Sequence, residues 1–324
     1  MDLYAGVDIG GTNIVCGLTD AEGNLICKIK QPTEAHLGSG YVLAKIAKMI
    51  DRLLKDAAIE KNSVVAVGVG TPGFVDPNEG ISRFAGNLQW RDIDVASTLS
   101  SLMQDVPVFI DNDVRMYIYG EAMRGAAQGF EHVLGVTLGT GIAAAVVNKG
   151  QLYYGGAFMA GEIGHIRMES VHYKCRCGMT GCLETIVSGT GIVRQMRDRM
   201  KRGKSSILQE WFNEDSMDDI TATDVSKAYD AGDQAAIEVL NYTGTLLGTG
   251  LSYAVTLFSP DIVVIGGGAA MAGERLFAPM REQLKSCVYP AYWERLKITP
   301  AFMNDDAGVV GSALHAKQKL MGRP

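Results

Sequence analysis

The sequence predicts an α/β protein made of two related halves, and three observations indicate this class. A chain of 324 residues is too long for one small core and suggests two domains or one large α/β unit. Apolar runs typical of buried strands alternate with segments whose apolar residues recur at helical spacing. An apolar strand, a glycine/threonine corner and a second apolar strand occur twice, at 8–15 and at 133–147. We therefore expect two halves, each with a phosphate-facing hairpin, that close on one nucleotide.

The composition argues against several classes of partner. A net charge of −6 and a charged fraction of 20% favour neither nucleic acid nor an anionic membrane. The opening residues, MDLYAGVDIGGT, lack the basic and apolar regions of a secretory signal, and no apolar run reaches the length of a membrane span. Cys16, Cys27 and Cys287 fit small buried apolar positions. We expect a cytoplasmic protein.

The first corner lies between predicted strands at 3–9 and 14–18, and a third strand is expected at 25–29. It contains Asp8 and the run Gly10-Gly11-Thr12-Asn13. Glycines let backbone N–H groups approach a phosphate, the Thr12 hydroxyl adds a donor, and Asp8 can hold magnesium through water. Glycine turns between strands are also common without a ligand, and no Walker motif follows. The corner by itself leaves both interpretations open.

A helix at 41–57 and a continuous apolar strand at 64–69 come next. That strand ends in Gly70-Thr71-Pro72-Gly73, at the end of a strand where ligands of open α/β sheets collect, although such loops are usually only turns. A polar segment with Asn87 and Trp90 follows.

A strand at 106–110 leads into Asp111-Asn112-Asp113 and a predicted helix at 114–124. These polar residues fit a plain helix cap with Asp113 at the N-cap position. They also fit a general base that faces a cleft.

The second corner is Gly139-Thr140-Gly141, between strands predicted at 133–138 and 142–147. Later, a strand at 261–265 runs into Gly266-Gly267-Gly268, which suits a base or ribose lying close to the backbone. This spacing is not that of a dinucleotide fold. The remaining predicted elements are helices at 188–202, 224–231, 234–256, 273–287 and 307–320 and a strand at 296–300.

The segment 161–184 holds one imidazole and three thiols within a short stretch, from His165, Cys175, Cys177 and Cys182. This is the ligand set of a closed, tetrahedral structural zinc site. Ordinary buried thiols or a disulfide are the alternatives. Three cysteines within eight residues, next to glycines rather than in an apolar run, favour zinc.

In this order, these motifs resemble the ROK family of sugar kinases over essentially the whole chain, and most closely its bacterial glucokinases. The resemblance rests on DIGGT at 8–12, GTPG at 70–73, NLQW at 87–90, Asn112-Asp113, LGTG at 138–141, GEIGH at 161–165, CRCGMTGCLE at 175–184 and IGGG at 265–268. It implies an actin-like ATPase (ribonuclease H-like) fold with two domains and a cleft between them. We expect 1–113 with 307–324 to form a small α/β domain and 114–306 to form a large one that carries the zinc site.

The resemblance also implies transfer of the ATP γ-phosphate to the 6-hydroxyl of glucose, with Mg²⁺ bound with ATP and Zn²⁺ in a structural role. Asp113 matches the catalytic base. The expected sugar ligands are Gly73, Asn87, Asn112, Asp113, Glu162, His165 and Glu184. The expected nucleotide and magnesium residues are Asp8, Gly10, Gly11, Thr12, Asn13, Thr140, Gly141, Gly267 and Gly268. A homodimer is expected on the same basis.

Three departures from the family pattern stand out. Ala143-Ala144-Ala145 replaces glycines after the second corner, Asp111 replaces the usual glutamate before Asn112, and Gln89 alters the sugar-side loop. The last departure leaves open another hexose, such as mannose, fructose, allose or an N-acetylhexosamine. A sugar-sensing repressor or non-catalytic module is the rival class. Repressors carry a helix-turn-helix before the sugar-binding half, and the motif at Asp8 leaves no room for one in this sequence.

Overall fold

The structure, a computed structural model, describes residues 2–322 and contains two compact units. Within the described range, the first unit comprises residues 2–131, 147–159 and 301–322, and the second comprises His132–Val146 and Ala160–Pro300.

The strands of residues 2–322 are β1 (Leu3–Ile9), β2 (Asn13–Thr19), β3 (Leu25–Pro32), β4 (Val64–Thr71), β5 (Phe74–Asp76), β6 (Ile81–Ala85), β7 (Trp90–Asp94), β8 (Val108–Asn112), β9 (His132–Leu138), β10 (Ile142–Asn148), β11 (Gln151–Tyr153), β12 (Ile262–Gly266) and β13 (Lys297–Pro300). The α-helices are α1 (Ser39–Asp56), α2 (Val95–Leu102), α3 (Asp113–Arg124), α4 (Glu184–Val187), α5 (Gly189–Lys201), α6 (Leu208–Trp211), α7 (Ala222–Asp230), α8 (Gln234–Phe258), α9 (Glu274–Cys287), α10 (Pro290–Trp293) and α11 (Ala307–Met321). Short 3₁₀ helices lie at Ala35–Leu37, Lys61–Ser63, Gly156–Phe158, Ile163–His165, Glu214–Asp219, Gly268–Ala272 and Asn304–Asp306.

The first unit is built on a sheet with the strand order β3-β2-β1-β4-β8. β1 is antiparallel to β2 and parallel to β4, and β4 is parallel to β8. One face packs against the apolar stripes of α1 and α2, and the other is covered by α11 and α3. Because both faces are covered, β1 and β4 are apolar almost throughout, as the sequence indicated.

Helix α11 lies unusually close to the sheet because glycines face it. A Cβ at Gly6 would come within 1.9 Å of the carbonyl oxygen of Val309, and one at Gly68 within 1.8 Å of that of Ser312. On the far side of α11, a Cβ at Gly311 would come within 1.8 Å of the carbonyl oxygen of Met116 in α3. The helix is therefore seated backbone to backbone between the sheet and α3.

In the second unit, β10, β9, β12 and β13 lie side by side in that order, and β12 is parallel to β9 and β13. The core beside this sheet is formed largely by the long helix α8 and by α9. A Cβ at Gly244 or Gly248 of α8 would come within 2.5 Å of backbone carbonyl oxygens of α9. These glycines set the close packing of the two helices.

The predicted strands and helices are confirmed with small shifts at their ends. Strand β8 begins at Val108 rather than at residue 106. The polar segment near Asn87 and Trp90 was not predicted to be regular, yet β5, β6 and β7 form a three-stranded antiparallel sheet there. These strands are only three to five residues long, so they carry too little alternation to be recognised from sequence.

The compact units differ from the expected domains in three places. Residues 114–131, Val147–Met159 and residues 301–306 belong to the first unit, whereas the sequence-based division assigned all three to the large domain. That division stays a prediction about the domains. Among the described residues, no helix combines the length and the apolar character that crossing a membrane requires.

Replacing Gly68 by alanine should lower the free energy of unfolding by about 3 kcal/mol or more, because the new methyl group meets backbone on α11 and neither side can yield. Chemical denaturation followed by circular dichroism measures this change.

Gly40→Ala is the matched control. Gly40 is exposed in the first turn of α1, and a Cβ there meets no atom within 4 Å. Alanine is the better helix former, so stability should stay the same or rise by up to about 1 kcal/mol. Equal unfolding midpoints for the two variants would contradict the close backbone packing of α11 against β4 at Gly68.

Candidate active site and metal-ligand cluster

The first corner forms a small polar pocket of about 280 Å³ in the first unit. Its lining consists of Asp8, Gly10, Gly11, Thr12, Asn13, Val15, Lys30 and Asp305. The corner is closed by a hydrogen bond of 2.8 Å from the Gly10 N–H to the Asn13 carbonyl oxygen, and the Thr33 hydroxyl donates to the Gly10 carbonyl oxygen at 2.6 Å. The structure thus brings together all five residues that the sequence predicted for this corner.

Lys30 and Asp305 also line this pocket, although neither was predicted from the sequence. Lys30 comes from β3, and Asp305 precedes α11, almost 300 residues from Asp8. Neither has a local motif around it, apart from the acidic pair Asp305-Asp306 just before a predicted helix. They reach the corner only because β3 pairs beside it and α11 is seated on the sheet.

Asp8 lies in a cluster of carboxylates. The pKa of Asp8 is raised to about 7, first by burial and then by the negative charges of Asp113 and Asp305, while the positive charge of Lys30 opposes this rise. A bound cation would relieve this repulsion, so the cluster has the donor chemistry of a site for a hard divalent ion.

The junction of β8 and α3 holds Asn112 and Asp113, and here one expectation was wrong. Asn112, not Asp113, is the N-cap: its Oδ1 accepts from the N–H groups of Val114 at 3.0 Å and Arg115 at 3.3 Å. Asp113 is the first residue of the helix, and its Oδ1 accepts from the Val114 N–H at 2.9 Å. Because the amide takes over the capping, the Asp113 carboxylate is not needed as a cap.

Burial raises the pKa of Asp113 to about 6, and a backbone hydrogen bond from Val114 partly offsets this. A carboxylate with such a pKa is a stronger base than an ordinary aspartate and is still ionised at neutral pH. This is the protonation behaviour that general-base catalysis requires.

The other predicted sugar-side residues of the first unit are Gly73, which contacts this junction, and Asn87, which lies beside the phosphate corner. The Asn112 side-chain amide donates to the Gly73 carbonyl oxygen at 3.1 Å. Gly73 has a φ of 86°, and a Cβ there would come within 2.1 Å of the Phe84 carbonyl oxygen, so only glycine fits. Asn87 lies beside the phosphate corner, because a Cβ at Gly11 would be 3.2 Å from the Cβ of Asn87.

The second corner, Gly139-Thr140-Gly141, is tied to the start of α5. The Gly189 N–H donates to the Gly139 carbonyl oxygen and the Thr190 hydroxyl to the Thr140 carbonyl oxygen, both at 2.8 Å. This contact was not predicted from the sequence, although the run SGTG at 188–191 lies at the start of a predicted helix and could have indicated it.

The glycine run after β12 packs against the same corner. Gly267 has a φ of 89°, and a Cβ there would come within 2.6 Å of the Leu138 carbonyl oxygen, whereas Gly268 has open space around it. Gly267 therefore lies next to Leu138, the residue that precedes the corner, and Gly268 follows it in the chain. The three alanines that follow the corner form part of β10, where Ala144 and Ala145 are buried and the Ala144 N–H donates to the Gly161 carbonyl oxygen at 2.8 Å.

The predicted metal ligands lie together in the second unit. One ligand atom from each of His165, Cys175, Cys177 and Cys182 can be chosen so that all four lie within 4.8 Å of one another. The Sγ atoms of Cys177 and Cys182 are 3.6 Å apart, and Cys175 Sγ is 3.8 Å from His165 Nδ1. A disulfide requires about 2.05 Å between sulfurs, so no such bond joins the pair. Zinc–sulfur bonds of about 2.3 Å in a tetrahedron place sulfurs about 3.7 Å apart, which matches.

Two glycines shape the loop that carries the thiols. Gly178 and Gly181 have φ values of 94° and 93°, which side-chain-bearing residues rarely adopt. The loop is closed by hydrogen bonds from the Cys175 N–H to the Met179 carbonyl oxygen at 2.8 Å and from the Gly178 N–H to the Cys175 carbonyl oxygen at 3.1 Å.

The cluster also contacts both predicted sugar-binding glutamates. The Cys175 thiol lies 3.5 Å from Glu184 Oε1, and His165 Nε2 lies 3.8 Å from Glu162 Oε2. Glu184 rests against the second corner, since a Cβ at Gly141 would come within 2.3 Å of its Oε2. The structure thus groups Glu162, His165 and Glu184 around the thiols, as expected from the sequence.

The class of protein follows from these features and from solved structures. A ROK family glucokinase from Streptomyces griseus, solved in complex with glucose and AMPPNP, matches with a TM-score of 0.80 and 30% identity, over 98% of this chain and 99% of that one. The fold is the actin-like ATPase fold, as the resemblance implied.

The chain belongs to the ROK family, whose sequence profile matches residues 4–319. A glucokinase of Halalkalibacterium halodurans is 33% identical over 317 residues, covering 98% of this chain and 95% of that protein. A xylose repressor of Caldicellulosiruptor bescii is 26% identical over 306 residues, covering 94% of this chain and 76% of the repressor. The family includes both enzymes and regulators.

The pKa of Asp8 should depend on the charge of Asp305. Asp305→Asn removes one of the charges that disfavour ionised Asp8, so the pKa of Asp8 should fall from about 7 by at least about half a unit. A carboxyl ¹³C NMR titration of the metal-free protein measures it.

Asp306→Asn is the control, because Asp306 is the neighbouring acid but pairs with Lys28 and does not act on Asp8. The pKa of Asp8 should not change in this variant. Equal shifts in both variants would show that Asp8 senses net charge and not the Asp305 side chain in its pocket.

Proposed function

We propose that this protein is an ATP-dependent hexokinase that transfers the γ-phosphate of ATP to the 6-hydroxyl of glucose. The observation that carries the proposal is the Asp113 carboxylate, which stands at the start of α3 with its pKa raised to about 6. The glucokinase relatives, one of them solved with glucose and AMPPNP, favour glucose as the acceptor and ATP as the donor.

In this proposal Asp113 accepts the proton of the 6-hydroxyl while the hydroxyl oxygen attacks the γ-phosphorus in line. Positioning and neutralisation of charge supply most of the catalysis of phosphoryl transfer. The nucleotide residues are those of the two corners and the glycine run: Asp8, Gly10, Gly11, Thr12, Asn13, Thr140, Gly141, Gly267 and Gly268. Their backbone N–H groups and hydroxyls would meet the phosphate oxygens.

Mg²⁺ bound with ATP fits the carboxylate cluster at Asp8, whose pKa is raised by desolvation and by the negative charges of Asp113 and Asp305. When bound there, the ion supplies positive charge against the phosphates.

The sugar ligands we propose are Gly73, Asn87, Asn112 and Asp113 from the first unit and Glu162, His165 and Glu184 from the second. Polar groups that a bound sugar covers reject a sugar that lacks the matching hydroxyl, because their own atoms are then left unpaired. Gln89, which has a left-handed φ of 57°, lies two residues after Asn87 and alters this sugar-side loop.

A coupled ADP-release assay against glucose, mannose, fructose, allose, N-acetylmannosamine and N-acetylglucosamine tests the proposal. We expect the largest kcat/KM for glucose. A larger value for an N-acetylhexosamine would retain the kinase but replace its substrate.

Asp113→Asn is the control for that assay. The amide is nearly isosteric with the carboxylate but cannot take a proton, so kcat should fall on the order of 10²-fold or more while sugar and nucleotide still bind. The second candidate function is a non-catalytic sugar sensor, which the repressor relative supports. A wild type that binds glucose but turns over none of the six sugars would favour this function over the kinase.

We further propose that His165, Cys175, Cys177 and Cys182 hold a structural Zn²⁺. The support is the chemistry and spacing of the four donors and the left-handed glycines that shape the loop. Bound zinc would act as local folding energy and would fix the glutamates that touch its ligands. Free thiols require reducing conditions, which agrees with a cytoplasmic location. The homodimer expected from the resemblance is likewise kept as a proposal.

Cys177→Ser should lose most of the zinc, because serine is a largely protonated and poor oxygen ligand. The KM for sugar should rise steeply, while nucleotide affinity stays within a few-fold. Metal analysis, steady-state kinetics and nucleotide titration measure the three quantities.

Cys287→Ser is the control, since Cys287 is exposed on α9 and is not one of the four donors. It should keep zinc and activity. A wild-type preparation with full activity and no zinc would end the proposal, and equal losses of sugar and nucleotide binding would mean that the loop supports the whole unit.

A further inference from the structure

Four polar side chains form a buried cluster directly behind the proposed catalytic residue. They are Asp111, Arg115, Tyr154 and His315, and we name them the Asp111 network. They come from β8, α3, the residue after β11, and α11. Asp111 is 0% exposed and His315 1% exposed, and Arg115 is also buried.

Asp111 is the centre of the network. Its Oδ1 accepts from Arg115 Nη1 at 3.0 Å and from the Asn112 N–H at 2.7 Å. Its Oδ2 accepts from the Tyr154 hydroxyl at 2.7 Å, and the Tyr154 oxygen lies 3.3 Å from His315 Nε2. The carboxylate therefore receives three donors and holds the backbone of the residue next to Asp113.

The network is electrically balanced. The Arg115 guanidinium compensates the Asp111 carboxylate at 3.0 Å. Burial lowers the pKa of His315 to about 4, and Lys319 lowers it further against the opposite effect of Asp111, so the imidazole is neutral at pH 7. Burial and the Asp111 charge raise the pKa of Tyr154 well above its usual value, so the phenol keeps its proton.

The proton positions follow from this balance. Because the Tyr154 hydroxyl donates to Asp111, its oxygen is free to accept from an N–H at His315 Nε2. His315 Nδ1 is then an unprotonated acceptor, and it is buried with no hydrogen-bond partner among the described residues. The opposite tautomer would place an unpaired N–H donor in the same position and would leave two acceptors facing each other.

The same network holds a strained turn. Ala157 and Phe158 have φ values of 52° and 58°, a conformation that costs each residue about 1–2 kcal/mol. Arg115 Nη2 donates to the Phe158 carbonyl oxygen, and the Phe158 ring packs edge-on against Tyr154 at 5.8 Å between centroids. Strain of this kind persists only where surrounding contacts hold it.

Stability alone does not account for these contacts. The desolvation of a buried ion pair offsets most of its attraction, and an apolar set of the same volume often stabilises a fold as well. An apolar set could not hold the Asn112 N–H or the Phe158 carbonyl oxygen in one position. The network therefore contributes hydrogen bonds that fix the positions of these two backbone groups.

We propose that the Asp111 network positions Asp113 for proton abstraction, by locking the strand end that carries Asn112 and Asp113 onto α11 and onto the 155–158 turn. This inference rests on the proposed kinase function. Asp113 is the catalytic residue, and Asp111, Arg115, Tyr154 and His315 are positioning residues that act through it.

Tyr154→Phe tests the inference in the full-length protein. The variant removes one donor to Asp111 and leaves every charge in place. We expect kcat with glucose to fall about tenfold, because small displacements of a base are costly, while the KM for ATP stays within about twofold. The pH at which the acidic limb of kcat/KM is half-maximal should not move, since the charges around Asp113 are unchanged.

Tyr289→Phe is the matched control, because Tyr289 is exposed, belongs to the second unit and takes no part in the Asp111 network. It should behave as the wild type. If the wild type phosphorylates glucose and Tyr154→Phe keeps its kcat within about twofold, the inference is overturned while the kinase stands. A fall in kcat with an equal loss of ATP affinity overturns it too, since the network would then be merely structural. Absence of activity in the wild type defeats the proposed function itself.

A second pair of variants decides the matter if Tyr154→Phe does not fold. His315→Gln keeps a neutral side-chain N–H for Tyr154, whereas His315→Leu removes it at similar size. The inference requires kcat near the wild-type value for glutamine and a loss of about fivefold or more for leucine. Equal effects of the two substitutions overturn it.

Discussion

The seating of α11 on the first sheet is the constraint on which most of the first unit depends. Its backbone meets β1 at Gly6 and β4 at Gly68, where no side chain fits. At its start, a Cβ at Gly308 would come within 2.8 Å of Asp8 Oδ2, so the helix also forms a wall of the phosphate corner. This one contact surface delivers Asp305 to the pocket and His315 to the Asp111 network. Loosening it would therefore affect stability and chemistry together.

Three aspartates near this surface have different roles because their surroundings differ. Asp111 is compensated by Arg115 and by two further donors, and so serves as a fixed point. Asp113 is half-buried with little compensation, and desolvation raises its pKa to about 6, which suits it to accept a proton. Asp8 is desolvated and stands near other carboxylates, and these effects raise its pKa to about 7, which suits it to a cation. The differences arise from neighbours and burial, not from the residue type.

The second unit holds its candidate sugar ligands differently. Glu162 precedes a 3₁₀ helix of three residues and Glu184 begins an α-helix of four, and elements this short give a carboxylate little support by themselves. Each contacts one member of the four-donor cluster, and Glu184 also rests on the glycine corner. A metal in the cluster would supply rigidity that a small loop lacks. The first unit obtains the same rigidity from helix packing and buried hydrogen bonds.

Much of this protein could be predicted from its sequence. Continuous apolar runs identified β1, β4 and β9, and helical spacing identified α1 and α8, because burial on both faces or on one stripe leaves a local pattern. Glycines, cysteines and the histidine identified both corners and the metal cluster, since each requires particular residues at short spacing. The family followed from these motifs in their order.

Other features were decided only by the tertiary structure. The sequence did not show that Asn112 rather than Asp113 caps α3, nor that β5, β6 and β7 pair. It did not place Lys30 and Asp305 at the first corner, or join Tyr154 and His315 to Asp111. The physical reason is the same in each case. Local patterns report burial and backbone conformation, whereas hydrogen bonds and charge interactions between distant residues depend on how elements pack, and packing leaves no periodic trace in the chain.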